Sequence, residues 1–377
     1  MTLSLAALTV SCLAGVELGL RLAGYSSPVL GMPDYNTGWS LRPRAEGIVR
    51  RENKRGVYVR INSDGMRDRE HSITKLKNTF RIALLGDSLC EATEVPLERT
   101  FWMILENELT AHLPPGAPRV EVLNFGVAGF STAQELVMME TKIWKYEPDA
   151  VLLAFTTSDV IENFRPLSRQ PLAPYFTCRA GGLLLDISFR HLIRYQRFRY
   201  LKSRVAERLR TIQLLEQIVK RFRESPVSTV AYEEVYVEPA DRLWEEAWSI
   251  SEKLIEAVHQ ETKRHDVPLW VVTMSNDIQV HPDREVRDGI SRRLGVPDLF
   301  YPDRRIRSVC LRNNIPIITL AEEMAEYAER NHVFLHGFEP NLGYRHWNEN
   351  GHRVAAGLMF GKVSAYLPVT AGRMGGI

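Results

Sequence analysis

The chain has 377 residues, of which 45% are hydrophobic and 25% are charged, and its formal net charge is +2. This is the composition of a globular protein with a large core, and a net charge so near zero argues against a nucleic-acid partner. The cysteines at 12, 90, 178 and 310 lie far apart, so their spacing predicts neither a zinc site nor a disulfide framework.

The first 24 residues are the most apolar segment and are predicted to anchor the chain to a membrane. They carry no charge until Glu17 and Arg21. The cleanest apolar run, Leu3 to Val16, is shorter than the roughly 20 residues of a spanning helix, and no basic region precedes it as in a signal peptide. Three interpretations stay open: a signal anchor, which we favour, a helix lying in the membrane surface, and a helix packed on the domain.

Residues 25–80 are predicted to be a linker and N-terminal extension. The stretch 25–55 is rich in proline, glycine and arginine, which is typical of an extended connection. The sequence GVYVRINSDGMRD, residues 56–68, then predicts a strand that ends in a Ser-Asp-Gly turn. We therefore place the start of the main domain at residue 81.

From residue 81 onward, short apolar runs alternate with segments of helical spacing. The apolar runs predict strands at 81–85, 120–126, 149–155, 267–274 and 315–320. The helical segments are 98–113, 131–146, 304–314, 321–331 and 348–367. This alternation predicts a three-layer α/β/α sandwich with a parallel sheet, over residues 81–367, and leaves 368–377 as a tail.

An inserted and mostly helical segment is predicted at about residues 163–240. Residues 175–189 suggest a hairpin, and residues 189–223 are helical in pattern and strongly basic. The basic stretch also contains three aromatic residues: Tyr195, Phe198 and Tyr200. One interpretation is a solvated helix face with its aromatic residues turned to the core. The other is contact with anionic lipid headgroups or an anionic glycan.

Ser88 follows the first strong strand, in the sequence RIALLGDSLCEATEV. Ligands of parallel α/β sheets bind beyond the carboxyl ends of the strands, so a serine on this turn is well placed to meet a substrate. Backbone N–H groups of such a turn can also stabilise an oxyanion, which suits a nucleophile. The alternative is that Asp87 and Ser88 only cap a helix. The nucleophile-elbow pattern G-x-S-x-G is absent, because Cys90 replaces its second glycine.

Further polar segments complete a predicted serine–histidine site. NFGVAGFST follows the second strand of the domain and contains Gly126, whose backbone N–H can approach a substrate oxygen. TTSDVIEN follows the third strand, and YRHWNENGHRVAA places His346 just before the last helix, which Asn348 can cap. Polar strand ends combined with a late histidine favour nucleophilic catalysis by serine.

With these blocks in this order, the sequence resembles the SGNH/GDSL hydrolase family. Residues 86–88 match the family's first block, with Ser88 at the nucleophile position. Gly126 falls on the second-block glycine, residues 156–159 on the third block, and His346 on the histidine of the last block. The flanking segments look like a membrane-associated bacterial branch of that family.

The resemblance implies an SGNH/flavodoxin-like fold and hydrolysis or transfer of an acyl group, such as acetyl, on a carbohydrate or lipid. Ser88 would be the nucleophile and His346 the general base, with the N–H groups of Ser88 and Gly126 and the Ser158 hydroxyl as the oxyanion hole. No metal or organic cofactor is implied. The family implies a domain on the exported side, whereas the arginines after the anchor favour the cytoplasmic side by the charge rule.

Two departures from the family pattern concern the site itself. The third-block asparagine is Ser158 here, a shorter and less fixed hydrogen-bond donor. The acid that precedes the histidine by three or two residues is missing, since Gly343 and Tyr344 occupy those positions. Glu339 and Asp303 are candidates for a relocated acid, and a Ser–His dyad is an equally open alternative. A non-catalytic envelope protein that binds a glycan or lipid is the alternative to an enzyme.

Overall fold

The computed structural model describes residues 2–114, 116–179, 182–206, 208–223 and 233–367, so the predicted tail at 368–377 lies outside the described residues. The strands are β1 (Gly31–Asp34), β2 (Gly38–Leu41), β3 (Glu46–Val49), β4 (Val57–Arg60), β5 (Thr79–Leu85), β6 (Arg119–Asn124), β7 (Ala150–Phe155), β8 (Tyr175–Arg179), β9 (Gly182–Asp186), β10 (Leu269–Thr273), β11 (Ile317–Thr319), β12 (His336–Phe338) and β13 (Asn341–Trp347). The helices are α1 (Thr2–Leu22), α2 (Ser88–Glu91), α3 (Phe101–His112), α4 (Thr132–Thr141), α5 (Ser158–Glu162), α6 (Arg190–Ala206), α7 (Arg210–Arg223), α8 (Arg242–Arg264), α9 (Arg284–Leu294), α10 (Tyr301–Arg312), α11 (Ala321–Asn331) and α12 (Glu349–Val363).

A parallel sheet of five strands, in the order β11-β10-β7-β5-β6, forms the centre of the fold. All its neighbouring strands pair in parallel, and Leu84 of β5 lies opposite both Leu152 of β7 and Asn124 of β6. The sheet contains each of the strands predicted from residue 81 onward. The prediction of an α/β fold with a parallel sheet is therefore confirmed.

Side chains of β5 alternate between two hydrophobic cores, one on each face of the sheet. Ala83 and Leu85 pack with residues of α4, α8 and α10, whereas Ile82 and Leu84 pack with residues of α3, α11 and α12. A parallel strand that is covered on both faces has apolar side chains on both faces. This explains the uninterrupted run of apolar residues from Ile82 to Leu85, just before Ser88. The layers of helix, sheet and helix make the predicted sandwich.

The insertion combines the predicted hairpin β8–β9 and the basic helices α6 and α7. Side chains of Tyr195 and Phe198 are 62% and 68% exposed and that of Tyr200 is half-buried, so the interpretation that turned the aromatic residues to the core is wrong for the first two. After the insertion comes α8, for which sequence analysis named no element. Asp241 caps this helix by accepting the N–H of Trp244, and its buried face includes Trp248.

Residues 25–80 are more than a linker, because they form the antiparallel pairs β1–β2 and β3–β4 and join the core. Ile61 is fully buried in the cluster that contains Leu85. Arg67 is also buried, and it donates hydrogen bonds to the carbonyls of Glu91 (2.7 Å) and Val95 (2.6 Å). These bonds fasten the extension to the segment that follows Ser88.

The N-terminal helix α1 contacts α7 through a charged residue within its apolar sequence. Glu17 accepts hydrogen bonds from the backbone N–H groups of Arg210 (3.0 Å) and Thr211 (2.9 Å) at the start of α7. The hydrogen bonds from Thr211 are the main reason that the pKa of Glu17 falls to about 2. Across the described ranges, no helix has the combined length and apolar character that a membrane crossing requires.

Candidate active site

Ser88 begins α2 on the turn directly after β5. Asp87 is the capping residue of this turn, since its carboxylate accepts the N–H of Leu89 (2.9 Å) and the hydroxyl of Thr156 (3.2 Å). Burial raises the pKa of Asp87. The capping role predicted as an alternative therefore belongs to Asp87, while the Ser88 hydroxyl faces the candidate base.

Ser88 and His346 are in direct contact although they are 258 residues apart in the chain. Ser88 Oγ and His346 Nε2 lie 2.8 Å apart, which is hydrogen-bond distance for a nucleophile and its base. His346 lies near the end of β13. Asn348 then caps α12 by accepting the N–H groups of Asn350 (2.9 Å) and Gly351 (3.1 Å), which fixes the chain just after the histidine.

The other ring nitrogen of His346 contacts an acid that the sequence did not reveal. Nδ1 lies 2.7 Å from Oε1 of Glu52, and the backbone N–H of His346 donates to Oε2 at 3.3 Å. Glu52 belongs to the loop between β3 and β4, and its side chain is 15% exposed. A carboxylate in this position holds the imidazole with Nε2 directed at the serine.

Neither of the acids proposed from sequence is the partner of His346. Asp303 is buried on α10, where it accepts hydrogen bonds from the Thr273 hydroxyl and from Nε2 of Gln279 (2.8 Å). Glu339 is exposed between β12 and β13. Glu52 was not predicted as the acid partner of His346, because no spacing rule links it to a histidine 294 residues away. Its one local signal is that it is the lone acid in the basic run VRRENKRG.

The electrostatics of the His346–Glu52 pair favour a charged imidazole. Burial lowers the pKa of His346, but the hydrogen bond to Glu52 and the negative charges of Glu94, Glu52 and Asp87 outweigh burial and raise it to about 9. Burial raises the pKa of Glu52, and the bonds and charge of His346 bring it below its ordinary value. The site thus stabilises the imidazolium that forms when a histidine takes a proton from serine.

Gly126 does not fit its predicted place in the oxyanion hole. Its backbone N–H already donates to Oδ1 of Asn124 at 2.9 Å. A Cβ at this position would lie 2.3 Å from Cβ of Cys90, so the close approach of α2 requires a glycine here. Ser158, by contrast, lies at the pocket with its Oγ 2.8 Å from Oγ1 of Thr156.

A pocket of about 160 Å³ opens beside Ser88 and His346. Most of the residues that line it are polar in type, among them Thr157, Ser158 and Asn276. The Asn276 amide donates to the Thr157 hydroxyl at 3.0 Å, which links the ends of β7 and β10. Within the described ranges, no group of three or more histidine, cysteine or acidic side chains is placed to hold a metal ion.

Polar groups hold the residues on either side of His346. The N–H of Arg345 donates to Oδ2 of Asp277 (2.6 Å), and the carbonyl of Arg345 accepts a hydrogen bond from Nδ1 of His336. Burial lowers the pKa of His336 to about 4, so this ring is neutral at pH 7. On the other side, Nε1 of Trp347 donates to the Ser275 hydroxyl at 2.9 Å. None of these supporting residues was predicted from sequence.

The resemblance to SGNH/GDSL hydrolases implies a parallel sheet with a serine after one strand and a histidine before the last helix. The sheet, Ser88 after β5 and His346 before α12 have this arrangement. Together with Glu52 they define an α/β protein with the geometry of a serine–histidine–acid triad. No known family profile and no curated protein sequence matches the chain.

Several solved structures are similar to the chain at low sequence identity. One is an acetylxylan esterase from Geobacillus stearothermophilus, with 11% identity, a TM-score of 0.41, and coverage of 75% of this chain and 94% of the other. Another is a lipase/acylhydrolase from Enterococcus faecalis, with 13% identity, a TM-score of 0.38, and coverage of 78% and 100%. A third is a lipolytic protein of the G-D-S-L family from Veillonella parvula, with 13% identity, a TM-score of 0.37, and coverage of 75% and 97%.

Proposed function

We propose that this protein is a serine ester hydrolase that removes a short acyl group from a carbohydrate or lipid. The observation that carries the proposal is the continuous chain of contacts from Ser88 Oγ through His346 to the Glu52 carboxylate. Nucleophile, base and orienting acid stand in the order that acyl transfer by serine requires. A binding-only protein has no need of this alignment, so the enzyme is favoured over the non-catalytic alternative.

In the first half of the reaction, Ser88 Oγ attacks the ester carbonyl carbon while His346 Nε2 takes the hydroxyl proton. Glu52 stabilises the resulting imidazolium. The backbone N–H of Ser88 and the Ser158 hydroxyl are the proposed donors to the oxyanion. The bond from the carbonyl carbon to the alkoxy oxygen then breaks, and His346 gives its proton to the departing alcohol.

In the second half, a water molecule attacks the acyl carbon and gives a proton to His346. The bond from that carbon to Ser88 Oγ then breaks, His346 returns the proton to Ser88, and the carboxylic acid leaves. A sugar hydroxyl in place of water would complete an acyl transfer with the same proton movements, so transferase activity is the variant of this proposal. Short polar side chains, among them Thr157 and Ser158, line the pocket beside Ser88. A short acyl group such as acetyl is the proposed substrate group.

The experiment is active-site labelling with a fluorophosphonate probe together with hydrolysis of 4-nitrophenyl acetate. We expect the wild-type protein to be labelled at Ser88 and Ser88→Ala to lose both labelling and activity. Ser308→Ala is the matched control, because Ser308 is an exposed serine on α10. A folded wild-type protein that neither reacts with the probe nor cleaves the ester would support the binding-only alternative.

We further propose that the protein associates with a membrane surface through α1 and α6. Exposed apolar side chains occur on α1, namely Leu13, Leu18 and Leu22, and on α6, namely Tyr195, Phe198 and Leu201. Exposed arginines at 194 and 197 accompany the aromatic residues of α6. Basic residues beside exposed apolar ones favour attachment to anionic lipid.

Sedimentation with vesicles tests this association. We expect the full chain to bind vesicles rich in phosphatidylglycerol more than phosphatidylcholine vesicles, and Leu18→Glu with Leu22→Glu to weaken that binding. Leu311→Glu is the matched control, since Leu311 is 63% exposed on α10. Equal binding by the control and the double variant would contradict the proposal.

The exported side is the proposed location of the domain. Cys178 is exposed whereas Cys90 and Cys310 are buried, so in a Cys12→Ser background Cys178 is the thiol that a reagent can reach. A membrane-impermeant maleimide should then label the protein in intact spheroplasts. Labelling that requires lysis would place the domain on the cytoplasmic side.

A further inference from the structure

Arg345 has an unusual backbone conformation next to the candidate base. Its φ is +68°, in the left-handed region that large side chains seldom adopt. Asp277 accepts its N–H, and His336 donates to its carbonyl, so both ends of the residue are held. Non-glycine residues kept in such a conformation occur preferentially at functional sites.

The Arg345 side chain lies at the mouth of the pocket and is 73% exposed. It forms an ion pair with the Glu52 carboxylate, with Nη1 and Oε1 3.8 Å apart. An exposed pair at this distance is weak, so the guanidinium keeps donors for another anion. Among the described residues that line the pocket, Arg345 alone carries a permanent positive charge.

We propose that Arg345 binds an anionic group of the substrate, a carboxylate or a phosphate, next to the ester that Ser88 attacks. This inference rests on the proposed esterase function and narrows its substrate to acyl esters that carry a negative charge. The planar guanidinium can donate two parallel hydrogen bonds to either kind of oxyanion. Glycine adopts a positive φ about as readily as a negative one, so the turn by itself does not require an arginine at this position.

Two acetyl esters with similar leaving groups test the proposal. 4-Nitrophenyl acetate is neutral, and 4-acetoxy-3-nitrobenzoate carries a carboxylate. We expect Arg345→Gly to lower the ratio of kcat/KM for the anionic ester over the neutral ester by about five- to tenfold. Arg345→Lys should keep part of the preference. Using the ratio cancels any effect that loss of the contact with Glu52 has on both substrates.

Arg353→Ala is the matched control, because Arg353 is an exposed arginine on α12 outside the pocket. Its ratio should equal that of the wild type. If Ser88-dependent hydrolysis is present and Arg345→Gly leaves the ratio unchanged, the inference is wrong while the proposed function stands.

Direct binding gives a readout that does not need turnover. Calorimetric titration of the wild-type protein with benzoate and, separately, with inorganic phosphate should detect binding of at least one anion that Arg345→Gly loses. The anion that binds identifies carboxylate or phosphate as the recognised group. If neither anion binds the wild type, or if Arg345→Gly binds as the wild type does, the proposal is overturned.

Discussion

The two nitrogens of His346 face two very different regions of the molecule. Nε2 faces Ser88, which follows a strand of the parallel sheet whose last five residues are buried. Nδ1 faces Glu52, which lies in a loop between two short strands of the N-terminal extension, where Asn53 donates to the carbonyl of Glu94 at 3.1 Å. The nucleophile Ser88 is thus held by the core, whereas the acid Glu52 comes from a loop of the N-terminal extension. Losing the acid should therefore be separable from losing the fold.

The largest loss of activity is expected when the base His346, which contacts Ser88 after the core strand β5, is removed. His346→Ala removes the base, and kcat/KM for 4-nitrophenyl acetate should fall on the order of 10⁴-fold or more. His332→Ala, at an exposed histidine, is the control and should match the wild type. Activity within tenfold of the wild type in His346→Ala would break the proposed assignment of the base.

A smaller loss of activity is expected when Glu52, in the N-terminal extension, is changed. Glu52→Gln keeps the size of the side chain but removes the charge that stabilises the imidazolium, and kcat should fall about 10²- to 10⁴-fold with the protein still folded. Glu46→Gln is the control in the same extension, since Glu46 bonds Tyr58 and not the histidine. Unchanged activity in Glu52→Gln would mean that Ser88 and His346 act as a dyad.

The pH dependence of kcat/KM should also differ between the wild type and Glu52→Gln. Because the pKa of His346 is raised to about 9, the neutral ring that acts as base is scarce at pH 7, and kcat/KM should rise with pH through about 9. In Glu52→Gln the raising influence of the carboxylate is gone, so the midpoint should move to lower pH. Equal midpoints in the two proteins would show that Glu52 does not set this pKa.

The smallest effect is expected at Ser158. Removing a rigid oxyanion donor costs roughly 10²- to 10³-fold in kcat. A serine hydroxyl that also lies 2.8 Å from Oγ1 of Thr156 is less firmly directed at the substrate, so Ser158→Ala should cost about tenfold. Ser63→Ala, at an exposed serine of the extension, is the control. A loss as large as that of His346→Ala would give Ser158 a different role.

The parts of the fold that were predictable are those with strong local patterns. The apolar runs before Ser88 and Thr156 predicted strands of the sheet, and the positions of Ser88 and Ser158 at strand ends brought them to one edge. Glu52 lacked such a pattern, because its contact with His346 depends on how the extension packs rather than on periodicity. Gly126 was predicted as an oxyanion donor, whereas in the structure its N–H donates to Asn124 and the close approach of Cys90 requires a glycine there.

The separation of 294 residues between Glu52 and His346 also bears on when activity can begin. During synthesis Glu52 and Ser88 leave the ribosome before His346, which follows Ser88 by 258 residues. A nascent chain therefore holds its nucleophile and its acid long before it holds its base. With the triad proposed here, the enzyme would be inactive until His346 had been synthesised and had met Glu52 and Ser88 in the folded chain.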